Sequence, residues 1–290
     1  MRTQDTLQRF LFEDHAIRGS LVHLDSTFRA ARDGHAYPPA MAHFLGQALA
    51  ASALLSASIK YHESLILQIQ ADGPVRLIVA QCTGNRSLRG LVRWTANVDD
   101  EALTVACSNG LLVITIDPGG GQERYQGMVQ LLGSSLAQAI EAYFAQSEQL
   151  RTRLWLAADH TSAAGLFLQR VPKTPADPDA WSRVQQLAST ISRQELLELP
   201  SHQLFYRLFH EENLRVFESE VVTFRCTCSR ERIGRVLYSL GRSDLSAILR
   251  QEGQVNVTCE YCNRVYRFDT VDVEQLFVSG IQPQAPCTPQ

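Results

Sequence analysis

Apolar and polar positions alternate over most of the first 170 residues, in the pattern that strands produce when one face of a sheet is buried. Clusters of Gly, Pro, Asp and Asn separate the alternating runs, and such clusters mark turns between neighbouring antiparallel strands. The pattern predicts strands over residues 18–24, 65–70, 75–81, 88–94, 110–116, 125–131, 154–158 and 164–169, with the last two closing the same sheet.

Two segments of this region favour helices. Helices are predicted from Pro38-Pro39 to about Tyr61, and from a cap at Ser134 to about Glu148. Residues 34–59 contain no Asp, Glu, Lys or Arg, but they are rich in Ala, Ser, His, Gln and Gly. Because membrane insertion favours Leu, Ile and Phe, we expect a buried helix there and not a membrane span. Residues 1–175 are therefore predicted to form an α+β domain with a mainly antiparallel sheet.

Residues 176–222 are predicted to form a metastable helical linker. Pro172, Pro175 and Pro178 mark its start. Its apolar positions are sparse and interleaved with charge, so we expect it to bury little area and to depend on neighbouring domains for stability. Its predicted elements are helices over 181–191 and 193–199, a third that Ser201 caps through about His210, and a strand over 221–225.

Residues 223–280 are predicted to form a small α+β domain with too few apolar residues to fold by burial alone. Residues 281–290 are predicted to be a disordered tail. The predicted elements of the domain are a helix over 230–240 capped by Ser229, a helix over 245–251 begun by Asp244, a strand over 255–258, a hairpin packed by Tyr261, Val265, Tyr266 and Phe268, and a helix over 272–278.

Four of the seven cysteines lie in this small domain as two close pairs, Cys226 with Cys228 and Cys259 with Cys262. Four thiolates gathered this way form a tetrahedral sulfur cage, which in a cytosolic protein usually holds Zn²⁺. The alternative occupant is an iron–sulfur cluster, which also takes four thiolates. Zinc binding would supply folding free energy of order 10 kcal/mol to a domain with a small core.

The spacing within each pair also bears on redox chemistry. A disulfide across Cys226 and Cys228 would close a small, strained ring that is easily reduced, and the spacing of Cys259 and Cys262 is familiar from redox proteins. The site is therefore either a structural metal site that only stabilises the fold or a thiol switch that exchanges a metal for two local disulfides. Basic side chains are expected to crowd it, either keeping thiolates deprotonated or offsetting the negative charge of the centre. They are Arg225, Arg230, Arg232, Arg264 and Arg267.

Composition and charge narrow the classes of function. The chain has 290 residues, of which 45% are apolar, enough for one large or two modest domains. A net charge of −3 argues against nucleic-acid binding, and the start of the chain shows no signal-peptide pattern, so we expect a cytoplasmic protein. We find no catalytic constellation in residues 1–170. Cys82 and Cys107 are predicted to be buried, inert thiols on strands, and Cys287 a stray thiol.

Short motifs along nearly the whole chain match one known family. They are Arg18-Gly19, Tyr37-Pro38, Leu45-Gly46-Gln47-Ala48-Leu49-Ala50-Ala51, Asp72-Gly73-Pro74, Tyr125-Gln126-Gly127, Tyr143-Phe144, Gln146-Ser147-Glu148-Gln149, Leu168-Gln169, Arg207-Leu208-Phe209-His210-Glu211-Glu212 and Phe224-Arg225-Cys226-Thr227-Cys228-Ser229 with Cys259 and Cys262. The sequence thus resembles the bacterial redox-regulated chaperones of the 33-kDa heat-shock protein family, also called 33 kDa chaperonins. Gln47 departs from the acidic residue that the family often has, and we expect no effect from it.

The resemblance implies a holdase that works without ATP and is not an enzyme. In the reduced, inactive form Cys226, Cys228, Cys259 and Cys262 would hold one Zn²⁺. Oxidation would form the disulfides Cys226–Cys228 and Cys259–Cys262, release zinc, unfold the small domain and loosen the helical linker. The partners implied are unfolding or oxidatively damaged client proteins, a second copy of the chain on oxidation, and ATP-driven refolding chaperones that receive the clients.

Two other hypotheses start from the same cysteines. A constitutive zinc-ribbon adaptor for nucleic acid or protein would need a basic, aromatic-lined face, but acidic and basic residues nearly balance over 225–275. A thiol oxidoreductase would need a thioredoxin-like context with a thiol at a helix N-terminus, whereas Cys259 is predicted to follow a strand.

Overall fold

Two six-stranded sheets and one long helix form most of the first part of the chain in the computed structural model, which describes residues 5–58, 64–96, 98, 103–131, 134–172 and 177–278. Contacts between Cα atoms divide the chain into a first unit, Met1–Arg225, and a second unit, Cys226–Gln290. The predicted helix end at Tyr61, most of the predicted proline-rich linker at 173–176, and the predicted disordered tail with Cys287 lie outside the described residues.

The elements of the first unit are numbered in chain order. The strands are β1 Thr6–Phe12, β2 Ile17–Leu24, β3 Ser64–Gln70, β4 Val75–Thr83, β5 Ser87–Trp94, β6 Leu111–Asp117, β7 Tyr125–Gln130, β8 Thr152–Ala158, β9 Ala163–Arg170, β10 Leu214–Val216, β11 Glu220–Val221 and β12 Thr223–Phe224. The helices are α1 Ser26–Arg32, α2 Pro39–Ser58, α3 Leu103–Ala106, α4 Leu136–Tyr143, α5 Ala180–Ser189, α6 Arg193–Glu198 and α7 Ser201–Phe209.

The strands form two sheets, where the sequence pattern predicted one. The first sheet has the order β10-β1-β2-β9-β8, with β11 paired to the other end of β1, and the second has the order β12-β5-β4-β3-β6-β7. The α+β class with mainly antiparallel strands is confirmed, but β8 and β9 do not close the sheet of β3 to β7. Instead β9 pairs with β2, and β8 pairs with β9 at the edge of the first sheet. Strands β2 and β9 lie so far apart along the chain that no local pattern reveals their pairing.

Helix α2 packs against strands of both sheets and is buried along most of its length. It is long and apolar enough to cross a membrane by length and composition, but 78% of its most apolar window is buried inside the protein. A β-carbon at Gly46 would lie 2.7 Å from the β-carbon of Ala158, so glycine is what allows the helix to approach β8 and β9 this closely. The prediction of a buried Ala-rich helix is confirmed.

The cap and the end of α4 differ from the prediction. Ser135, not Ser134, is the N-cap, because Ser135 is extended and its side chain accepts a hydrogen bond from the backbone N–H of Gln138. The helix is α-helical only to Tyr143 and continues as one π-helical turn to Glu148. Cys107 is buried as predicted, but it lies in the turn after α3 and not on a strand.

Helices α5, α6 and α7 pack on the first sheet. Their buried side chains join those of β1, β2, β8 and β9 in one apolar cluster, so the segment buries more than its sparse apolar positions suggested. Each short helix has one apolar face, and the three faces combine on a single sheet. Ser201 is the first residue of α7 and not its cap, since Pro200 precedes it without a side-chain hydrogen bond. The buried side chains are Ala180, Trp181, Val184, Ala188, Leu196, Leu197, Leu204, Phe205, Leu208 and Phe209.

Aromatic contacts and one ion-pair network hold the segment of α5 to α7 on the first sheet. The ring of Phe10 on β1 lies 4.8 Å from that of Phe205, measured between centroids. Arg183 on α5 donates hydrogen bonds to Glu212 at 2.7 Å and to Asp177 at 2.8 Å, and His15, in the turn after β1, is 3.1 Å from Glu212. Because the Glu212 side chain is only 7% exposed, its ionised form depends on these partners.

Replacing Glu212 with glutamine is expected to reduce the acid sensitivity of the segment. The hydrogen bond from Arg183 lowers the pKa of Glu212 from its ordinary value of 4.5. The carboxylate therefore stabilises the fold above that pH, and this contribution is lost as the pH falls through the lowered pKa. Urea unfolding between about pH 7 and about pH 3 measures the difference. Glu211→Gln, at a neighbouring side chain that is 85% exposed, is the control and should unfold like the wild type. Equal pH dependence in both variants would contradict the assignment.

The predicted strand over 221–225 is two short strands on different sheets. Strand β11 pairs antiparallel with β1 in the first sheet, and β12 pairs parallel with β5 in the second. Between them Val222 is buried, and its backbone N–H donates to the carbonyl oxygen of Asp5. The last residues of the first unit therefore join both sheets.

The second unit contains three helices and one hairpin within residues 226–278, its described part. Its elements are α8 Arg230–Leu240, α9 Arg242–Glu252, β13 Val255–Thr258, β14 Val265–Phe268 and α10 Thr270–Val278. Ser229 caps α8 as predicted by accepting from the backbone N–H of Arg232, while α9 begins at Arg242, earlier than predicted, because Gly241 reverses the chain with a φ of 94°. Its buried cluster is small and consists of Leu237, Leu245, Val255, Cys259, Tyr266, Phe268, Val273 and Leu276.

Candidate metal centre

The two cysteine pairs are held by a hairpin and by the chain that enters α8. Cys259 and Cys262 lie in the turn between β13 and β14, where the backbone N–H of Cys259 donates to the carbonyl oxygen of Arg264 at 2.9 Å. Asn263 completes the turn with a φ of 57° and donates to the carbonyl oxygen of Cys259 at 2.7 Å. Cys226 and Cys228 immediately precede the cap of α8. Regular elements on both sides therefore fix the positions of the sulfurs.

The structure brings all four predicted ligands together. Their Sγ atoms lie within 4.8 Å of one another, with 3.6 Å between Cys226 and Cys259 and 3.3 Å between Cys228 and Cys262. A tetrahedral ion with metal–sulfur bonds of about 2.3 Å would separate its ligands by about 3.8 Å. The donor set thus fits one thiophilic ion, whereas an iron–sulfur cluster would need room between the thiolates for several irons and sulfides.

The thiols differ in their tendency to ionise. Burial raises the pKa of the Cys226 and Cys262 thiols. Burial also raises the pKa of Cys228, but hydrogen bonds from the Tyr266 hydroxyl and the other thiols outweigh it and lower the pKa to about 7. Cys228 is therefore the thiol that ionises near neutral pH, and the thiolate is the form that binds metals and reacts with oxidants.

The arginines predicted to crowd the site have separate roles. Arg230 forms an ion pair with Asp272 at 2.7 Å and lies over the ring of Phe268, so its charge is largely compensated. Arg232 donates to the Thr227 hydroxyl between the first two cysteines. The hydrogen bond with Tyr266 raises the pKa of Arg264, and the thiols of Cys228 and Cys262 add to the increase. Arg267 contributes its carbonyl oxygen to Arg230, and Arg225 belongs to the first unit.

Tyr266 is a site residue that the sequence indicated only as a packing residue. Its hydroxyl donates to the Sγ of Cys228 at 3.1 Å, while its ring belongs to the buried cluster. Tyr266 lies opposite Val257 in the hairpin, and this register places the hydroxyl at the cysteine turn. The sequence could have indicated this role only through a tyrosine on the inward face of a strand next to C-x-x-C. Many such tyrosines, however, only pack in the core.

Replacing Tyr266 with phenylalanine is expected to weaken metal binding about tenfold, because partners of metal ligands typically contribute that much. The change removes the hydroxyl that stabilises the Cys228 thiolate and keeps the ring in the core. Competition for Zn²⁺ with a coloured chelator measures the affinity. Tyr238→Phe is a matched control, because the Tyr238 ring packs on Phe277 in the same unit. Unchanged affinity in Tyr266→Phe would show that the hydroxyl has no part in the centre.

Comparison with known proteins extends over nearly the whole chain. The sequence profile described as Hsp33 protein matches residues 5–269. The 33 kDa chaperonin of Nitrosococcus oceani is 51% identical over 288 residues, covering 99% of both chains, and that of Methylobacillus flagellatus is 42% identical, covering 97% of both. The crystal structure of the 33 kDa chaperonin from Thermotoga maritima superposes with a TM-score of 0.83 at 25% identity, covering 95% of this chain and 99% of that one. The predicted resemblance is confirmed, and the chain belongs to the Hsp33 family of chaperones.

Proposed function

We propose that this protein is a redox-regulated, ATP-independent holdase that binds unfolding proteins when the cysteine centre is oxidised. The observation that carries the proposal is the cluster of four Sγ atoms within 4.8 Å in a unit whose buried cluster is small. A chaperone of this kind needs a sensor that responds to oxidants and a surface that the sensor controls. The cysteine centre is the sensor, and the helices α5 to α7 cover the controlled surface.

In the reduced state Cys226, Cys228, Cys259 and Cys262 hold one Zn²⁺. When bound, zinc supplies folding free energy of order 10 kcal/mol to the small unit and keeps the thiolates out of reach of weak oxidants. The Tyr266 hydroxyl orients the Cys228 thiolate, and the hairpin holds the other pair. This state is the inactive one.

Oxidation converts the four thiolates into two disulfides, Cys226–Cys228 and Cys259–Cys262. Each bond forms when two thiolates transfer two electrons to one hypochlorous acid molecule, which leaves as chloride and hydroxide. The nearest sulfur contacts run between the pairs, so the pairing within each pair rests on the family resemblance and not on proximity. Sulfurs in disulfides no longer bind the ion, and the second unit then loses the energy that kept it folded.

Unfolding of the second unit loosens the helical linker at 176–222, which precedes it in the chain. Departure of α5 to α7 would uncover the apolar face of the first sheet, where Phe10, Phe12, Ile17 and Leu21 are now buried. A large exposed apolar surface binds unfolding proteins and favours dimer formation. We propose that the clients are oxidatively damaged cytoplasmic proteins, which pass later to ATP-driven chaperones for refolding.

Neither alternative is favoured by the geometry. A thiol oxidoreductase that uses C-x-x-C would place this pair at a helix N-terminus, but Cys259 and Cys262 lie in a turn between two antiparallel strands, and Cys259 is only 8% exposed. A nucleic-acid adaptor would need uncompensated basic groups, but Arg230 and Arg242 are paired with Asp272 and Glu274.

The proposal is tested by counting zinc and free thiols before and after treatment with hypochlorite, alongside an aggregation assay with a heat-unfolded client. The expected result is one zinc per chain before treatment, zinc release with loss of four thiols, and suppression of aggregation only afterwards. Peptide mapping of the oxidised protein checks the two disulfides. Zinc release with no gain in activity would contradict the regulation, and strong suppression by the reduced form would contradict the inactive state.

A further inference from the structure

A cavity of about 260 Å³ lies in the first unit, at the C-terminal end of α2 beside β1, β2 and β9. Its walls are mainly apolar, but Arg18 and Ser20 also line it. These two residues are two positions apart on β2, so both side chains project from the same face of the sheet. The cavity therefore places a guanidinium group and a hydroxyl group beside an apolar wall.

Arg18 is a half-buried cation with no acidic partner among the described residues. Its Nε and Nη2 atoms donate to the Oε1 atom of Gln169 at 3.1 and 2.6 Å, and Nη2 also donates to the carbonyl oxygen of Ser58 at 2.9 Å. Both acceptors are neutral, and Nη1 donates to no described residue. Burial lowers the pKa of Arg18, which reflects a charge that is poorly solvated and not compensated.

Ser20 provides an independent sign of a missing partner. The residue is 3% exposed, and its Oγ atom has no hydrogen-bond partner among the described residues. Most buried hydroxyls in native proteins are hydrogen-bonded, so an unpaired one that lines a cavity indicates an acceptor that enters from outside. Phe167, which lies opposite Ser20 on β9, supplies an apolar ring beside this hydroxyl.

The second arginine of the cavity, Arg9, differs from Arg18 in having an acidic partner among the described residues. Arg9 forms an ion pair with Glu220 at 2.9 Å, and Glu220 also pairs with Arg86 at 2.7 Å. The Arg9 guanidinium lies 5.9 Å from the centre of the Phe217 ring, which also lines the cavity and is 41% exposed. Arg18 is thus the arginine of the cavity that has no acidic partner in the described part of the chain, and Phe217 lies where the cavity reaches the surface.

We propose that this cavity binds a small organic carboxylate. Arg18 Nη1 and Ser20 Oγ donate to the carboxylate oxygens, and the apolar body of the ligand packs against Phe167 and Phe217. A carboxylate carries a negative charge and two acceptor oxygens in one plane, and these match the positive charge and planar N–H donors of a guanidinium. The volume admits a body of about one aromatic ring and excludes a folded peptide.

Isothermal titration calorimetry of the full, reduced, zinc-loaded chain with benzoate and benzamide tests the proposal. The two probes have nearly the same shape and differ in charge. Benzoate is expected to bind about tenfold more tightly than benzamide, because only benzoate forms charge-assisted hydrogen bonds with Arg18. Arg18→Gln is expected to remove this preference. Ser20→Ala deletes a hydroxyl that has no hydrogen-bond partner among the described residues, and it is expected to weaken benzoate binding about threefold.

Arg89→Gln is the matched control, because the Arg89 guanidinium is also held by a glutamine, Gln81, but in the second sheet. It should leave benzoate affinity unchanged. Far-UV circular dichroism establishes that each variant is folded, and Ser20→Ala keeps the test decisive if Arg18→Gln unfolds. Equal affinity for the two probes, no detectable heat of binding, or unchanged benzoate affinity in Ser20→Ala would each overturn the proposal.

Discussion

Replacing Cys226 with serine is expected to unfold the second unit in reducing buffer and to leave strands β1 to β9 of the first unit folded. The change removes one of four sulfurs that lie within 4.8 Å, and a three-ligand remnant does not hold a structural ion tightly. Most of a folding contribution of order 10 kcal/mol is then lost from a unit with few buried side chains. Zinc content and hydrogen exchange of residues 226–278 measure the effect. Under the proposed function, this variant also suppresses aggregation without oxidant.

Cys107→Ala is the control for that experiment. Cys107 is buried in the first unit, where burial raises the pKa of its thiol to about 12 and keeps it un-ionised. The variant should keep one zinc per chain and its protected second unit, with at most a modest loss of stability in the first. A Cys226→Ser protein that keeps zinc and full protection would mean that the centre is not what folds this unit.

Replacing Phe205 with alanine is expected to release the helical segment from the first sheet in the reduced protein. The Phe205 side chain is 6% exposed, and its ring packs on that of Phe10. Truncating a buried phenylalanine typically costs about 3–5 kcal/mol, which is comparable to the whole stability expected for three short helices on one sheet. Faster hydrogen exchange over 180–209 and increased binding of a hydrophobic dye measure the release. We also expect chaperone activity while zinc is still bound.

Tyr206→Ala provides a matched control on the same helix. The Tyr206 side chain is 74% exposed, so its truncation removes an aromatic ring from α7 without opening the buried cluster. Exchange, dye binding and activity should stay at wild-type values. If Phe205→Ala releases the segment without any gain in activity, the surface beneath α5 to α7 is not where clients bind.

Local sequence patterns predicted the elements well, because each depends on residues close in the chain. The alternation at 65–70, 75–81 and 88–94 located three strands that glycine-containing turns join in one sheet. The cap at Ser229 and the hairpin after Val255 were found for the same reason, since capping and turn chemistry act over a few residues. The four candidate ligands were also evident, because two close cysteine pairs are typical of metal sites, and the structure brings their sulfurs together.

Features that depend on distant residues were not predicted. Strand β1 mixes apolar and charged positions, and only its pairing with β2, β10 and β11 gives it a place in a sheet. The burial of α5 to α7 was underestimated because their sparse apolar residues become one cluster only on the face of a sheet built from both ends of the first unit. The bond from Tyr266 to Cys228 depends on the register of the hairpin, which no count of residue types provides.

Because residues 221–225 are divided between two sheets, local unfolding that starts at Cys226 and spreads toward the N-terminus must follow a fixed order. Travelling backward along the chain, it must first detach β12 from β5, then β11 from β1, and only then reach β10 and α7. Each step separates a strand pair of only two or three residues, so each has a low energy barrier. The barriers must, however, be crossed one after another. Under the proposed function, a brief or partial oxidation would therefore stop at an early stage and reverse, and only a sustained one would progress as far as the aromatic cluster.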